Sequence, residues 1–122
     1  MIQGIRTFIY PVKDIAQARM LYSKLLGVEP DMDEPYPGSS DRPIYVGFKV
    51  GDQDIGLDPN GCNQGMTGPV GYYQVDDIKK SLQLLLDAGA QAQQEVKDVG
   101  GGKLIASVKD ADGNIIGLMQ LP

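Results

Sequence analysis

The chain contains no histidine, no tryptophan and a single cysteine, Cys62. Without histidine there is no Ser-His-Asp triad, no imidazole general base and no His-bearing metal site. One cysteine excludes thiolate zinc clusters, a CxxC redox pair and any disulfide within the chain. Cations are also scarce: 11 Lys and Arg face 16 Asp and Glu, a net charge of −5 over 122 residues. Phosphate backbones need clustered Lys and Arg, so no nucleic-acid partner is expected. Long apolar runs are missing too. Leu84-Leu85-Leu86 is far too short to cross a bilayer, and no basic stretch near Met1 leads into an apolar core with a cleavage site. A cytoplasmic protein with no membrane partner is therefore expected, and the lone Cys62 fits a reducing compartment.

What is present suits a packed domain. Hydrophobic residues make up 42% of the sequence and charged residues 22%, and the length is that of one domain, residues 1–122. Glycine is abundant, at 16 residues, and there are eight prolines. Neither follows a collagen-like period, so short strands joined by tight turns are expected. Ile5, Phe8, Ile9 and Tyr10 form a β-rich run that Pro11 ends. Asp14 then caps a helical pattern of Ile15, Ala18, Leu21, Tyr22, Leu25 and Leu26, which Gly27 stops. Residues 29–43 read as a short strand and a polar loop. Residues 44–50 and 53–58 form a hairpin about Gly51-Asp52. Residues 59–68 carry no period and read as a mobile connection.

The second half begins in the same way. Residues 70–75 read as a strand, Asp76 or Asp77 caps a helix with Ile78, Leu82, Leu85 and Leu86, and Gly89 ends it. Strands follow at 91–96, 104–108 and 115–120. Gly100-Gly101-Gly102 is no phosphate loop, because Lys103 leads into a strand rather than a helix. The repeat shows in the letters: Tyr10-Pro11-Val12-Lys13-Asp14-Ile15 matches Tyr73-Gln74-Val75-Asp76-Asp77-Ile78 at an offset of 63. Gly27 and Gly89 differ by 62, and Ile55-Gly56-Leu57 matches Ile116-Gly117-Leu118 at 61. Two copies of a β-α-β-β-β unit result, at about residues 1–60 and 68–122. A unit of about 60 residues buries only ~60% of its surface, so a core shared by both copies is expected.

Val12-Lys13-Asp14 with Leu21-Tyr22 and Leu26-Gly27, then Val75-Asp76-Asp77-Ile78, then Asp110-Ala111-Asp112-Gly113-Asn114, resemble in order and spacing the vicinal oxygen chelate superfamily. That superfamily includes glyoxalase I, bleomycin-resistance proteins and extradiol dioxygenases. The resemblance implies an α+β fold in which two tandem βαβββ units form curled mixed sheets, with helices outside and a concave ligand cavity. It also implies, in many members, a divalent metal held by side chains from the first and last strands of each half. Those four positions fall here on Thr7, Val70, Gly56 and Gly117, none of which offers a carboxylate or imidazole. Their neighbours, Arg6 and Phe8 among them, include no ligand either. No metal and no cofactor is expected. The two glycines have two readings, simple strand packing or a cavity floor widened to admit a flat or bulky ligand.

Side chains alternate along strands. Thr7 facing inward brings Ile5 and Ile9, Val70 brings Tyr72 and Gln74, Gly56 brings Asp54 and Asp58, and Gly117 brings Ile115 and Met119. The expected ligand-binding set is Thr7, Ile9, Tyr45, Gly56, Asp58, Val70, Tyr72, Gly117 and Met119, largely apolar and aromatic as small-molecule sites are. The facing of Tyr45 is open at this point. Asp58 before Pro59-Asn60 also reads as a turn residue, and Met119 also reads as core filler. Tyr36 and Met66 are candidate lid residues, and Cys62 has nothing beside it in sequence to activate it. The function this favours is small-molecule binding without a metal, of the antibiotic- or toxin-sequestering kind, with no catalytic residue assigned. A lyase, isomerase or dioxygenase with an atypical site is the alternative, and a dimeric structural or regulatory module is another. Members of the superfamily commonly pair, so a C₂ homodimer is expected.

Overall fold

The computed structural model describes residues 2–35 and 44–122. Tyr36 lies outside the described residues. The chain divides into two compact units, residues 7–69 and residues 1–6 together with 70–122. The first unit carries β1 (Ile2–Pro11, shared with the second unit through its first residues), α1 (Ile15–Leu26), β2 (Met32–Pro35), β3 (Ile44–Val50) and β4 (Gln53–Asp58). The second carries β5 (Val70–Val75), α2 (Ile78–Asp87), β6 (Gln91–Asp98), β7 (Leu104–Lys109) and β8 (Ile115–Gln120).

The pairing repeats with the elements. In the first unit the strand order is β2-β3-β4-β1, and β1 lies parallel to β4 while β2, β3 and β4 run antiparallel in turn. In the second the order β5-β8-β7-β6 again sets first and last strands parallel. A parallel pair needs a crossover, and the helix after each first strand supplies it.

Local chemistry sets the helix ends. The Asp14 carboxylate accepts from the Gln17 N–H at 3.0 Å, and Asp77 from the Lys80 N–H at 3.1 Å, so each caps an otherwise orphaned turn. Gly27 closes α1 in the left-handed region at φ 72°, its N–H donating to the Ser23 carbonyl. Gly100, Gly101 and Gly102 all have positive φ, between 62° and 121°. Three consecutive residues in that region make the β6–β7 turn, and only glycine enters it without a Cβ penalty. The segment after β4 is more ordered than its composition suggests. Cys62–Gln64 form a short 3₁₀ helix, and the Met66 N–H donates to the Gly61 carbonyl at 3.0 Å.

Each unit has its own cluster of buried hydrophobic residues. Val46, Phe48 and Leu57 pack with Tyr10, Val12, Ile15, Ala18, Tyr22 and Leu26. Val75, Ile78, Ala106 and Leu118 pack with Tyr73, Leu82, Leu85, Val96 and Leu104. Each helix thus covers one face of its own sheet and leaves the other face without a helix. Leu21 and Leu25, assigned to the packed stripe by spacing, are instead 64% and 71% exposed. They stand about one residue's turn from the Ile15–Ala18–Tyr22–Leu26 stripe, outside its contact with the sheet. Among the described residues no helix is long and apolar enough to cross a membrane.

Candidate functional site

The helix-free face of the first unit is defined by what packs under α1. Val46 and Phe48 belong to the α1 cluster, so Tyr45 and Gly47 point to the opposite face, which settles the facing of β3. Tyr10, Ile55 and Leu57 likewise pack with α1, so Thr7, Ile9, Asp54, Gly56 and Asp58 alternate to the other side. Ile9 pairs with Gly56, Pro11 with Asp58 and Gly47 with Gly56. Five of the expected residues, Thr7, Ile9, Tyr45, Gly56 and Asp58, therefore share one face. Thr7 and Asp58 are buried, while Ile9 and Tyr45 are half-buried. Asp58 performs the turn role: its carboxylate accepts the Asn60 N–H at 2.8 Å, and its carbonyl accepts the Val12 N–H at 3.1 Å.

In the second unit Tyr73, Val75, Ala106 and Leu118 face α2. Val70, Tyr72, Gln74, Gly117 and Met119 hence share the helix-free face, with Tyr72 opposite Gly117 and Gln74 opposite Met119. Val70 is 5% exposed and Met119 only 1%, so Met119 fills the packed base of this face. Ser107, also buried and opposite Gly117, belongs here although no sequence pattern singled it out. Met66, the described lid candidate, packs its sulfur against Gly61, and Cys62 is exposed.

The two glycines do not leave an open floor. A Cβ built at Gly117 would stand 2.6 Å from Cγ and Cδ2 of Tyr72 and 2.8 Å from its Cε2. A Cβ at Gly56 would run into the Tyr45 hydroxyl and come within 2.6 Å of Ile9 Cδ1. Each glycine is a seat for an aromatic ring of the same unit, so the widened-floor reading is corrected to close ring-on-backbone packing.

This geometry also tests the divalent ion that the resemblance implies. The positions that would hold it carry a buried hydroxyl at Thr7, an isopropyl group at Val70 and two glycines already covered by tyrosines. Among the described residues, no three His, Cys, Asp or Glu side chains gather closely enough to hold an ion. The residues present do not fit that metal.

A second polar feature lies in the second unit, and spacing gave no sign of it. Arg6 Nη1 donates to Gln74 Oε1 at 3.0 Å. Gln74 Nε2 donates to Gln3 Oε1 at 3.3 Å, and Gln3 Nε2 donates in turn to the Asp76 carboxylate. These partners are 68 to 73 residues apart in sequence, beyond the reach of any local motif.

The profile of the Glyoxalase/Bleomycin resistance protein/Dioxygenase superfamily matches residues 4–118. No curated protein matches the chain. Among solved structures, methylmalonyl-CoA epimerase from Mycobacterium tuberculosis is 18% identical with a TM-score of 0.73, over 99% of this chain and 89% of that one. Methylmalonyl-CoA epimerase from Streptomyces coelicolor is 15% identical at a TM-score of 0.73, over 98% of each chain. A glyoxalase/bleomycin resistance protein/dioxygenase superfamily member from Vibrio splendidus 12B01 is 16% identical at 0.68, over 99% of this chain and all of that one. At such identities the likeness is one of fold. With the profile spanning almost the whole chain and the βαβββ unit occurring twice along it, the chain belongs to the Glyoxalase/Bleomycin resistance protein/Dioxygenase superfamily.

Proposed function

We propose that this superfamily member binds a small organic molecule on its helix-free faces without a divalent metal, as a sequestering or carrier protein. One observation carries the reading: the four positions where the resemblance places metal ligands are Thr7, Val70, Gly56 and Gly117, and tyrosine rings cover both glycines. Each unit's own helix-free face, with Ile9 and Tyr45 in one and Val70 and Tyr72 in the other, offers the mixture of apolar, aromatic and polar groups of a small-molecule site. A C₂ homodimer is part of the proposal and rests on the habit of the superfamily. The test is native mass spectrometry of untagged protein with elemental analysis, followed by thermal shift against a library of planar natural products. A co-purified or library compound that raises Tm at micromolar concentration, with no stoichiometric metal, is the expected result. About one transition metal per chain would overturn it in favour of a lyase or isomerase, and a 13 kDa species in light scattering would remove the dimer.

A further inference from the structure

The two helices hold equivalent places in their own units, yet their outer flanks carry opposite charge. Ile15 and Tyr22 belong to the α1 cluster, and Ile78 and Leu85 to the α2 cluster, at the same offset of 63. Residues 63 apart therefore face the same way in the two helices. At that offset Lys13, Leu21 and Lys24 correspond to Asp76, Leu84 and Asp87. All six are exposed, Leu21 at 64% and Leu84 at 69%. Each flank is thus an exposed leucine between two like charges that stand eleven residues, or roughly 16 Å, apart. The charges are basic in the first unit and acidic in the second. Among the described residues neither lysine has a carboxylate within ion-pair distance, and Arg19 of the same helix takes Asp33 at 3.1 Å. Asp76 accepts from Gln3. Asp87 accepts from the neutral Gln83 amide at 2.8 Å, which holds the carboxylate in place and leaves its charge.

The basic flank is also concave. A groove of about 580 Å³ runs along α1, and Lys13, Met20, Leu21 and Lys24 line it. Where α1 has Met20, exposed at 63%, α2 has Gln83, so the repeat does not require an apolar residue at this place. An exposed apolar groove with a basic rim is complementary to an apolar knob with an acidic rim. The flank of α2 has that knob and that rim at matching spacing. We infer that α1 of one copy packs antiparallel against α2 of a second copy, with Leu84 entering the α1 groove. Antiparallel helices bring the same flank of each together, so Lys13 meets Asp87 and Lys24 meets Asp76. Leu84 then lies close to the level of Gln17, which also lines the groove. Two-fold symmetry makes the contact occur twice in a dimer, and the two contacts share the roughly 800 Å² per partner of a standard interface. The inference rests on the homodimer reading above and names the surface that forms it.

The test uses the full chain in sedimentation velocity over a range of concentrations, together with carbodiimide coupling, which joins a lysine to a carboxylate only in direct contact. Wild-type protein mixed from unlabelled and isotope-labelled copies should give mixed-isotope couplings of Lys13 to Asp87 and of Lys24 to Asp76. That readout needs no variant to fold. Lys13→Asp and Asp87→Lys should each raise the dimer Kd about tenfold or more, because each sets like charges face to face. The double substitution should bring Kd back to within about threefold of wild type, which a merely misfolded variant would not do. Failure of the double substitution to restore the dimer would overturn the Lys13–Asp87 pairing. A dimer that neither single substitution weakens, with no mixed-isotope coupling at these pairs, would overturn the interface and leave the homodimer and small-molecule binding standing. A chain that stays monomeric at every concentration would overturn the interface and the homodimer together.

Discussion

Substituting Gly117 by alanine asks whether the tyrosine seat is real. The added Cβ would lie 2.6 Å from Cγ and Cδ2 of Tyr72, against about 3.5–4.0 Å for comfortable carbon contact. The ring must therefore retreat by about 1 Å. Rotation about χ2 cannot provide this, because Cγ lies on the rotation axis. Either χ1 leaves its staggered well, at about 0.5–1.5 kcal/mol for a 30° departure, or β5 and β8 separate at the Tyr72–Gly117 pair. Overpacking of this kind costs about 1–3 kcal/mol, which for a chain of this length is a Tm loss of about 4–12 °C. Gly56→Ala is the weaker probe, because the atoms it meets first are the far ends of Tyr45 and Ile9, which can swing aside. The decisive form is a double-mutant cycle read by urea denaturation. In a Tyr72→Ala background Gly117→Ala should be neutral or stabilise by up to about 1 kcal/mol, since alanine orders a strand more cheaply than glycine. The coupling between the two sites should then reach about 2 kcal/mol or more. Gly117→Ala within about 0.5 kcal/mol of wild type, with no coupling to Tyr72, would refute the packing and reopen the glycine as empty space on the sheet.

Two further predictions concern stability alone. The Asp110 carboxylate is held below its usual range by hydrogen bonds from the Asn114 side chain first, then from the Asn114, Asp112 and Gly113 backbone. A depressed carboxylate contributes stability above its unfolded value near 3.9 and loses it as pH falls through the lower folded value. Asp110→Asn should hence be less stable than wild type in urea at pH 7, with the gap closing below about pH 4; a gap that is constant with pH would contradict the assignment. Leu57→Ala, at a fully buried site of the first cluster, should lower stability by about 2–5 kcal/mol, whereas Leu25→Ser, at a site 71% exposed, should change it by less than about 0.5 kcal/mol. Equal losses at the two sites would mean that α1 packs through a different stripe.

The split between what was legible in sequence and what was not follows the range of the interactions. Capping and turn chemistry is local, so Asp14 with Gly27, Asp77, the Gly51-Asp52 hairpin and the Asp110–Asn114 turn could be read from neighbouring letters. The repeat offsets then carried the βαβββ order into both halves, and strand alternation assigned Thr7, Ile9, Gly56, Tyr72 and Gly117 to the helix-free faces. Composition alone determined that histidine and thiolate clusters play no part in any site of this chain. Tertiary structure decided the rest. Leu21 and Leu25 have the right spacing for a packed stripe, yet the face of α1 that meets the sheet is that of Ile15, Ala18, Tyr22 and Leu26, and they stay exposed. Glycine at 56 and 117 reads as space in a sequence, and only the placement of Tyr45 and Tyr72 shows that the space is filled. The Arg6–Gln74–Gln3–Asp76 relay joins residues 68 to 73 positions apart, because folding brings the first residues of β1 into one unit with β5. No local pattern encodes that meeting: its hydrogen bonds depend on which strand ends the fold places side by side.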